Sequence, residues 1–253
     1  MEKFERLEFI INYIQEKKSV STRELSQILN VTEKTIRLDF NELEDLGLLN
    51  RVHGGAVIVE VNSTVFPNNK YRTRALENKY EIAKKALKMI KPNETIAIDD
   101  GSTSLELAKL LGDFPLTVLT NDVFILNELC MKKLINLYFV GGILIRNDTS
   151  YFFSGEEAIS FIRKFRVDKV FLGVSTIDVD NGLMLYHYGN KSIKKAYMEI
   201  SQTKICLADS EKFNKTAFSS YANLNEIDYI ITDSRIKQDT LKTYSNFDLK
   251  IIN

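Results

Sequence analysis

The segment Asp99-Asp100-Gly101-Ser102-Thr103-Ser104 gathers the groups a phosphate needs. A glycine lets the backbone approach, and hydroxyls lie beside the amides of a helix about to begin. The segment follows an apolar run, 95–99, and five later apolar runs also end in polar residues. Thr120-Asn121 follows 116–119, Gly141-Gly142 follows 135–140, and Gly173 with Ser175 ends 169–173. Asp209-Ser210, with Lys212 close behind, follows 204–208, and Asp233 follows 229–232. Taken singly, each is a turn, a loop or a helix cap. Ligands of parallel sheets bind at the carboxyl ends of the strands, so several such positions at one edge point to a site.

A second group lies near the N-terminus. If Ile36, Phe40 and Leu43 face a core, then Lys34, Thr35, Arg37, Leu38 and Asn41 share the outer face near a helix N-terminus. Recognition helices meet base edges with that part of their surface. Thr22, Arg23, Thr32, Arg51 and His53 complete the candidate DNA contacts. Glu42, Glu44 and Asp45 fall at the far end of the same helix, away from the phosphates.

Local patterns fix the elements that carry these groups. Phe4, Leu7, Ile10, Ile11 and Ile14 recur at helical spacing, which predicts an amphipathic helix over 2–17. Ser21 and Glu24 form a capping box, with Val20 and Leu25 as its hydrophobic staple, so a second helix starts at Thr22. Asn30 tolerates the left-handed conformation that ends a helix. Thr32 caps the next one, which Gly47 terminates. Two capped helices with so short a turn between them form a helix-turn-helix. Runs 48–52 and 56–59, joined by His53-Gly54-Gly55, predict a hairpin wing. Residues 1–60 thus form a winged helix-turn-helix, 61–75 a connector, and 76–253 a larger α/β domain. In the latter, helices over 77–90, 103–111, 122–132 and 191–201 alternate with the apolar runs, as in a mainly parallel sheet.

The run Val31-Thr32-Glu33-Lys34-Thr35-Ile36-Arg37-Leu38-Asp39-Phe40, with Leu43, Gly47, Leu49, Arg51 and His53-Gly54-Gly55-Ala56, resembles the DNA-binding signature of DeoR-type bacterial transcriptional regulators. That family commonly has two consecutive arginines where this chain has Arg37-Leu38. The larger domain is similar to the family's sensor domain, itself similar to the ribose-5-phosphate isomerase fold. The resemblance implies an effector pocket bordered by Asp100, Gly101, Ser102, Thr103, Ser104, Thr120, Asn121, Gly141, Gly142, Asp209 and Lys212. It also implies Lys195 as a phosphate ligand. A glutamate common in the family before that lysine is absent from Tyr188-Gly189-Asn190-Lys191-Ser192. The implied function is a repressor of a sugar-metabolism operon that binds double-stranded operator DNA as a homodimer or homotetramer. A phosphorylated sugar would change its affinity for the operator.

Charge alone would not suggest DNA. Lys and Arg total 34 and so do Asp and Glu, and residues 1–60 hold eight basic against eleven acidic side chains, a balance of −3. The case therefore rests on where the charges sit. No apolar run approaches the ~18 residues of a membrane span, which predicts a cytoplasmic protein without a membrane partner. Two histidines leave no multi-histidine metal centre, and neither a metal nor a cofactor is expected. Cys130 and Cys206 lie among apolar residues and read as buried, reduced thiols. Two other readings compete. A sugar-phosphate enzyme would use Asp100, Asp209 or Lys212 to move protons, but an isomerase has no need of a winged helix. A protein-binding adaptor would use the winged helix without DNA. No catalytic residue is assigned.

Overall fold

The computed structural model describes residues 3–45, 49–58, 76–112, 114–146, 150–186 and 190–253. The connector expected over 61–75, Gly47 and the Tyr188-Gly189 pair lie outside the described residues. The chain divides into two compact units, Met1–Asn68 and Asn69–Asn253.

The smaller unit runs α1 (Lys3–Lys17), β1 (Ser19–Ser21), α2 (Thr22–Leu29), α3 (Glu33–Asp45), β2 (Leu49–Val52) and β3 (Gly55–Ile58). Ile10, Ile14, Leu25, Leu29, Ile36, Phe40 and Leu43 pack its core. Ser21 caps α2, its Oγ accepting from the Glu24 N–H at 3.1 Å. Asn30 ends the helix in the left-handed conformation, φ 52°. Thr32 caps α3, its Oγ1 accepting from the Thr35 N–H at 3.2 Å. The capping box differs from expectation in its other half. The Glu24 carboxylate accepts from the Tyr13 hydroxyl at 2.8 Å, while Ser21 joins β1, which pairs with β3 opposite Gly55. That strand turns the wing into a three-stranded sheet of order β1-β3-β2.

The larger unit comprises α4 (Leu76–Leu87), β4 (Thr95–Ile98), α5 (Ser102–Leu110), β5 (Leu116–Thr120), α6 (Val123–Leu129), β6 (Ile135–Phe139), β7 (Ile143–Arg146), β8 (Tyr151–Ser154) and α7 (Glu156–Ile162). It continues with β9 (Val167–Gly173), β10 (Thr176–Asp178), β11 (Gly182–Leu185), α8 (Lys191–Ile200), β12 (Ser201–Leu207), β13 (Ser219–Ala222), β14 (Tyr229–Ile231), α9 (Gln238–Tyr244) and β15 (Lys250–Ile252). Seven strands form one sheet of order β15-β14-β12-β9-β4-β5-β6, and every pairing in it is parallel. Both faces are covered, as parallel sheets require. Ile96, Ile98, Phe171 and Ile205 face a core with α4 and α5. Ala97, Val170, Leu172 and Cys206 face the other, with α7 and α8. This is period-two burial on both sides. The short sheets β10-β11-β13 and β7-β8 were not expected from the sequence. Cys206 is buried as expected, but Cys130 is exposed. It sits at the C-terminal cap of α6, where only its neighbour Leu129 turns inward.

Two adjacent glycines serve the wing differently. Gly54 has φ +82° and open space around it, whereas a Cβ on Gly55 would lie 2.2 Å from the Val20 carbonyl oxygen in β1. Gly55→Ala is therefore expected to destabilise the protein by about 1–3 kcal/mol through overpacking. Gly54→Ala should cost about 1–2 kcal/mol through backbone strain alone. Urea unfolding combined with amide exchange at Val20 separates them, because only Gly55→Ala should loosen β1. Wild-type protection of Val20 in that variant would show that β1 does not pack on β3 as described.

Candidate functional site

Helix α3 is held by a charge pair inside its apolar stripe. Asp39 is buried, and it accepts from Arg6 Nε at 2.6 Å and Nη2 at 2.9 Å. This two-pronged contact fixes the rotation of α3 as well as its position. The sequence offered the signal, an acid at a core position one residue before Phe40, which must find a cation if buried.

With that face inward, Lys34, Arg37, Leu38 and Asn41 are exposed and Thr35 is half-buried. Arg37 Nη2 lies 3.1 Å from Glu33 Oε2, and both side chains are largely solvated. Such exposed i,i+4 pairs contribute only about 0.3–0.5 kcal/mol, so the guanidinium is readily surrendered to another anion. The Arg51 guanidinium donates to the side-chain oxygen of Asn41, and the Arg51 backbone N–H donates to Glu44 Oε1 at 2.8 Å. The wing is thereby tied to the recognition face, and two expected contact residues meet each other. Arg23, Thr32 and His53 are exposed. Thr22 departs from expectation. Its side chain is buried and its N–H donates to the Gly54 carbonyl at 2.9 Å, so it builds the domain and presents no side chain to a duplex.

The second site lies where the order in which the chain adds strands to the large sheet reverses. From β4 the chain order runs outward one way through β5 and β6, and the other way through β9, β12, β14 and β15. The crevice between β4 and β9 is therefore the topological switch point, the usual place for a ligand. Asp99 and Asp100 follow β4 directly, and Asp99 Oδ2 accepts from the Gly173 N–H at the end of β9 at 3.0 Å. Lys194 from α8 contacts Asp99 and lies 3.4 Å from Asp100 Oδ1. Its side chain is 2% exposed. Asn190, just before α8, donates to Asp100.

Burial opposes charge throughout this cluster. It pushes the Asp99 carboxyl up to about 7, against the attraction of Lys194. Asp100 is buried too, yet Lys194 and hydrogen bonds from Ser150 and Asn190 hold its carboxyl below the usual range. For Lys194 the two carboxylates outweigh burial and raise its ammonium above the ordinary lysine value. Lys194 is nearer Asp99 than Asp100, but Asp100 gathers more donors, so burial prevails at Asp99 and the donors prevail at Asp100.

The expected pocket residues divide into two groups. Gly101 and Ser102 are half-buried at the start of α5. Gly101 has φ 137° and supplies no side-chain cap, so the first-turn amides of α5 keep their donors for other partners. Thr103 and Ser104 are buried on the same turn. The others are committed to the scaffold. Asn121 is fully buried, donating to the Phe153 carbonyl at 2.9 Å and accepting from the Tyr197 hydroxyl at 3.2 Å. Thr120 Oγ1 accepts from the Asp122 N–H at 3.2 Å. Gly141 is exposed, and Gly142 is required by packing, since a Cβ there would lie 2.5 Å from the Ser154 carbonyl oxygen. Asp209 caps its own turn through the Glu211 N–H at 3.2 Å, and Lys212 Nζ donates to the Val174 carbonyl at 2.6 Å. Lys195 is exposed on α8, and the lysine that α8 turns into the crevice is Lys194. Near the start of α8, Ser192 helps to line an open cavity of about 480 Å³ with Ile143, Ser154, Glu156 and Ile159. Glu156 and Glu157 in its wall make that cavity unsuitable for a dianion.

Residues 74–234 match the model of the DeoR C-terminal sensor domain, and residues 6–62 match the DeoR-like helix-turn-helix domain. The chain is 36% identical over 230 residues to the transcriptional repressor AccR of Agrobacterium fabrum, covering 89% of this chain and 87% of that protein. It is 32% identical over 257 residues to the lactose phosphotransferase system repressor of Staphylococcus epidermidis, covering 96% and 98%. Among solved structures, ribose 5-phosphate isomerase A of Methanocaldococcus jannaschii aligns over 53% of each chain at 16% identity and a TM-score of 0.39.

The two neighbouring lysines should behave differently on removal. Lys194→Ala leaves two buried carboxylates without their cation, which costs about 3–5 kcal/mol near pH 8. Losing the cation raises the folded-state pKa of both carboxyls above the unfolded value of about 3.9. A raised carboxyl loses stability as pH climbs from the unfolded to the folded value, so the variant's deficit should shrink at pH 5. Lys195→Ala should leave the unfolding midpoint unchanged at both pH values. Urea titrations at pH 5 and pH 8 decide this; a pH-independent deficit for Lys194→Ala would remove the charge cluster as its cause.

Proposed function

Because the chain belongs to the DeoR family, we propose that it is a DNA-binding transcriptional regulator, a repressor of a sugar-metabolism operon whose operator affinity a phosphorylated sugar changes. The observation that carries this reading is the outer face of α3. Lys34, Arg37, Leu38 and Asn41 are exposed together on a helix whose rotation the buried Arg6–Asp39 pair fixes. Lys34 and Arg37 suit phosphates or guanine edges, Asn41 an adenine edge, and Leu38 a thymine methyl. Leu38 is 59% exposed, an apolar side chain with no packing role in its own domain. Where relatives place a second arginine, this chain would trade a charged contact for an apolar one.

The sensor function rests on the switch-point crevice. The open first turn of α5 favours a dianionic phosphate, through backbone donors and the hydroxyls of Ser102 to Ser104. Turnover is not expected. Lys194 is locked between two carboxylates and Lys212 is held by a backbone carbonyl, so neither lysine is poised to transfer a proton to a sugar. Operator DNA pairs two half-sites, which suits a symmetric dimer or tetramer.

Two variants test the two halves. Arg37→Ala should weaken operator binding by about 1–3 kcal/mol with an unchanged unfolding midpoint, measured by fluorescence anisotropy at fixed salt. Retained affinity would place Arg37 outside the interface. Ser102→Asp sets a carboxylate against the ligand phosphate at short range. Operator binding should persist, but the change in affinity on adding sugar phosphate should vanish. A wild-type response in Ser102→Asp would move the phosphate site elsewhere.

A further inference from the structure

Beside the proposed phosphate turn, the crevice holds groups that suit a hydroxyl rather than an anion. Among the described residues, Asp99 Oδ1, Asn190 Oδ1 and Ser104 Oγ are buried polar atoms without a hydrogen-bond partner. Two of the three are acceptors only, and they sit in a cluster of two carboxylates and one ammonium. An anion brought there meets acceptors and carboxylates; a hydroxyl meets the partners it lacks. Asn190 is unusual in another way. It stands at the N-cap of α8, yet its side chain makes no cap hydrogen bond and turns inward to donate to Asp100. That bond fixes the amide orientation, because swapping its two ends would set the carbonyl oxygen against a carboxylate. The carbonyl is therefore left facing inward as an acceptor.

We infer that Asn190 is a specificity-determining residue, whose side-chain carbonyl accepts a hydrogen bond from a hydroxyl of the effector beside Asp99 and Asp100. The inference rests on the sugar-phosphate reading of the crevice and deepens it. The phosphate supplies charge recognition at α5, while Asn190 and Asp99 select a polyol with a hydroxyl in the right place. A ligand lacking that hydroxyl leaves the buried carbonyl unpaired, which corresponds to about 5- to 150-fold weaker binding.

The test uses the full-length protein and matched pairs. Ribose 5-phosphate is set against 2-deoxyribose 5-phosphate, and glucose 6-phosphate and galactose 6-phosphate against their 2-, 3- and 4-deoxy forms. Affinities are measured by calorimetry for wild type, Asn190→Leu and Asn190→Gln, with unfolding midpoints as a control for folding. Wild type should discriminate at least one pair about 5- to 150-fold. Asn190→Leu should bind both members of that pair alike, at the affinity of the deoxy ligand, and still require the phosphate. Asn190→Gln, which keeps both the donor to Asp100 and a carbonyl acceptor, should keep the discrimination, and it provides the reading if Asn190→Leu does not fold. Loss of overall affinity at an unchanged hydroxyl-to-deoxy ratio would overturn the inference and leave the sugar-phosphate reading intact, as would wild-type indifference to every deoxy position. If wild type binds none of the phosphorylated sugars, both fall together.

Discussion

The larger unit depends on a buried lysine shared by two consecutive carboxylates. Asp99 and Asp100 end the strand at which the order of added strands reverses, and Asp99 ties that strand to β9 through the Gly173 N–H. Lys194 brings α8 onto the same point. The backbone crowds in as well, since a Cβ on Gly173 would stand 2.6 Å from the Asp100 carbonyl oxygen. Taking such groups out of water costs several kcal/mol per ion, recovered only while all of them are present. Apolar side chains of similar volume often make a site as stable or more so, by about 1–4 kcal/mol. Stability alone therefore does not call for charges here. Their placement at the switch point, beside the start of α5, which no side chain caps, is what a ligand site requires.

The smaller unit obeys the same rule on a smaller scale. An aspartate in the middle of the α3 stripe is tolerated because Arg6 reaches it with both prongs of its guanidinium. Arginine suits this role better than lysine, since a planar fork matches a carboxylate in orientation as well as charge. Rotation of α3 matters because one residue of helical phase is about a hundred degrees. A small turn would bury Leu38 or Arg37 and expose Phe40. The recognition proposed for the outer face thus depends on a pair of charges on the inner one.

What was legible in the sequence was local. Ser21, Asn30 and Thr32 act at their own helix ends, and the apolar runs of the parallel sheet read directly because both faces are buried. Pairings between distant segments were not legible. Nothing near Ser19–Ser21 announces a strand, and only the close approach at Gly55 shows why two glycines stand together. The β10-β11-β13 sheet is built from strands of three or four residues, too short for periodicity to register. The Lys194 and Lys195 assignment is a matter of phase. Lys194 lies three and four residues before Tyr197 and Met198, both buried, whereas Lys195 lies four before the exposed Glu199. Helical spacing on α8 already distinguished the two lysines, but position by resemblance pointed one residue too far.

For a sensor, orphaned polar atoms inside the crevice have a thermodynamic use. A ligand changes a conformational equilibrium only by as much as its affinities for the two states differ. Each buried acceptor left unpaired costs about 1–3 kcal/mol, so a state that encloses the crevice without a ligand carries that cost and a state that opens it to water does not. A hydroxylated effector relieves the cost only in the enclosed state. Two such acceptors, Asp99 Oδ1 and Asn190 Oδ1, make the differential about 2–6 kcal/mol, and roughly 5.5 kcal/mol moves a population from 1:99 to 99:1. A core filled with apolar side chains would be equally stable in the enclosed state with or without sugar, and would have nothing for a hydroxyl to restore. In the proposed reading, the same unpaired groups that weaken the empty domain are the ones through which a ligand would shift it.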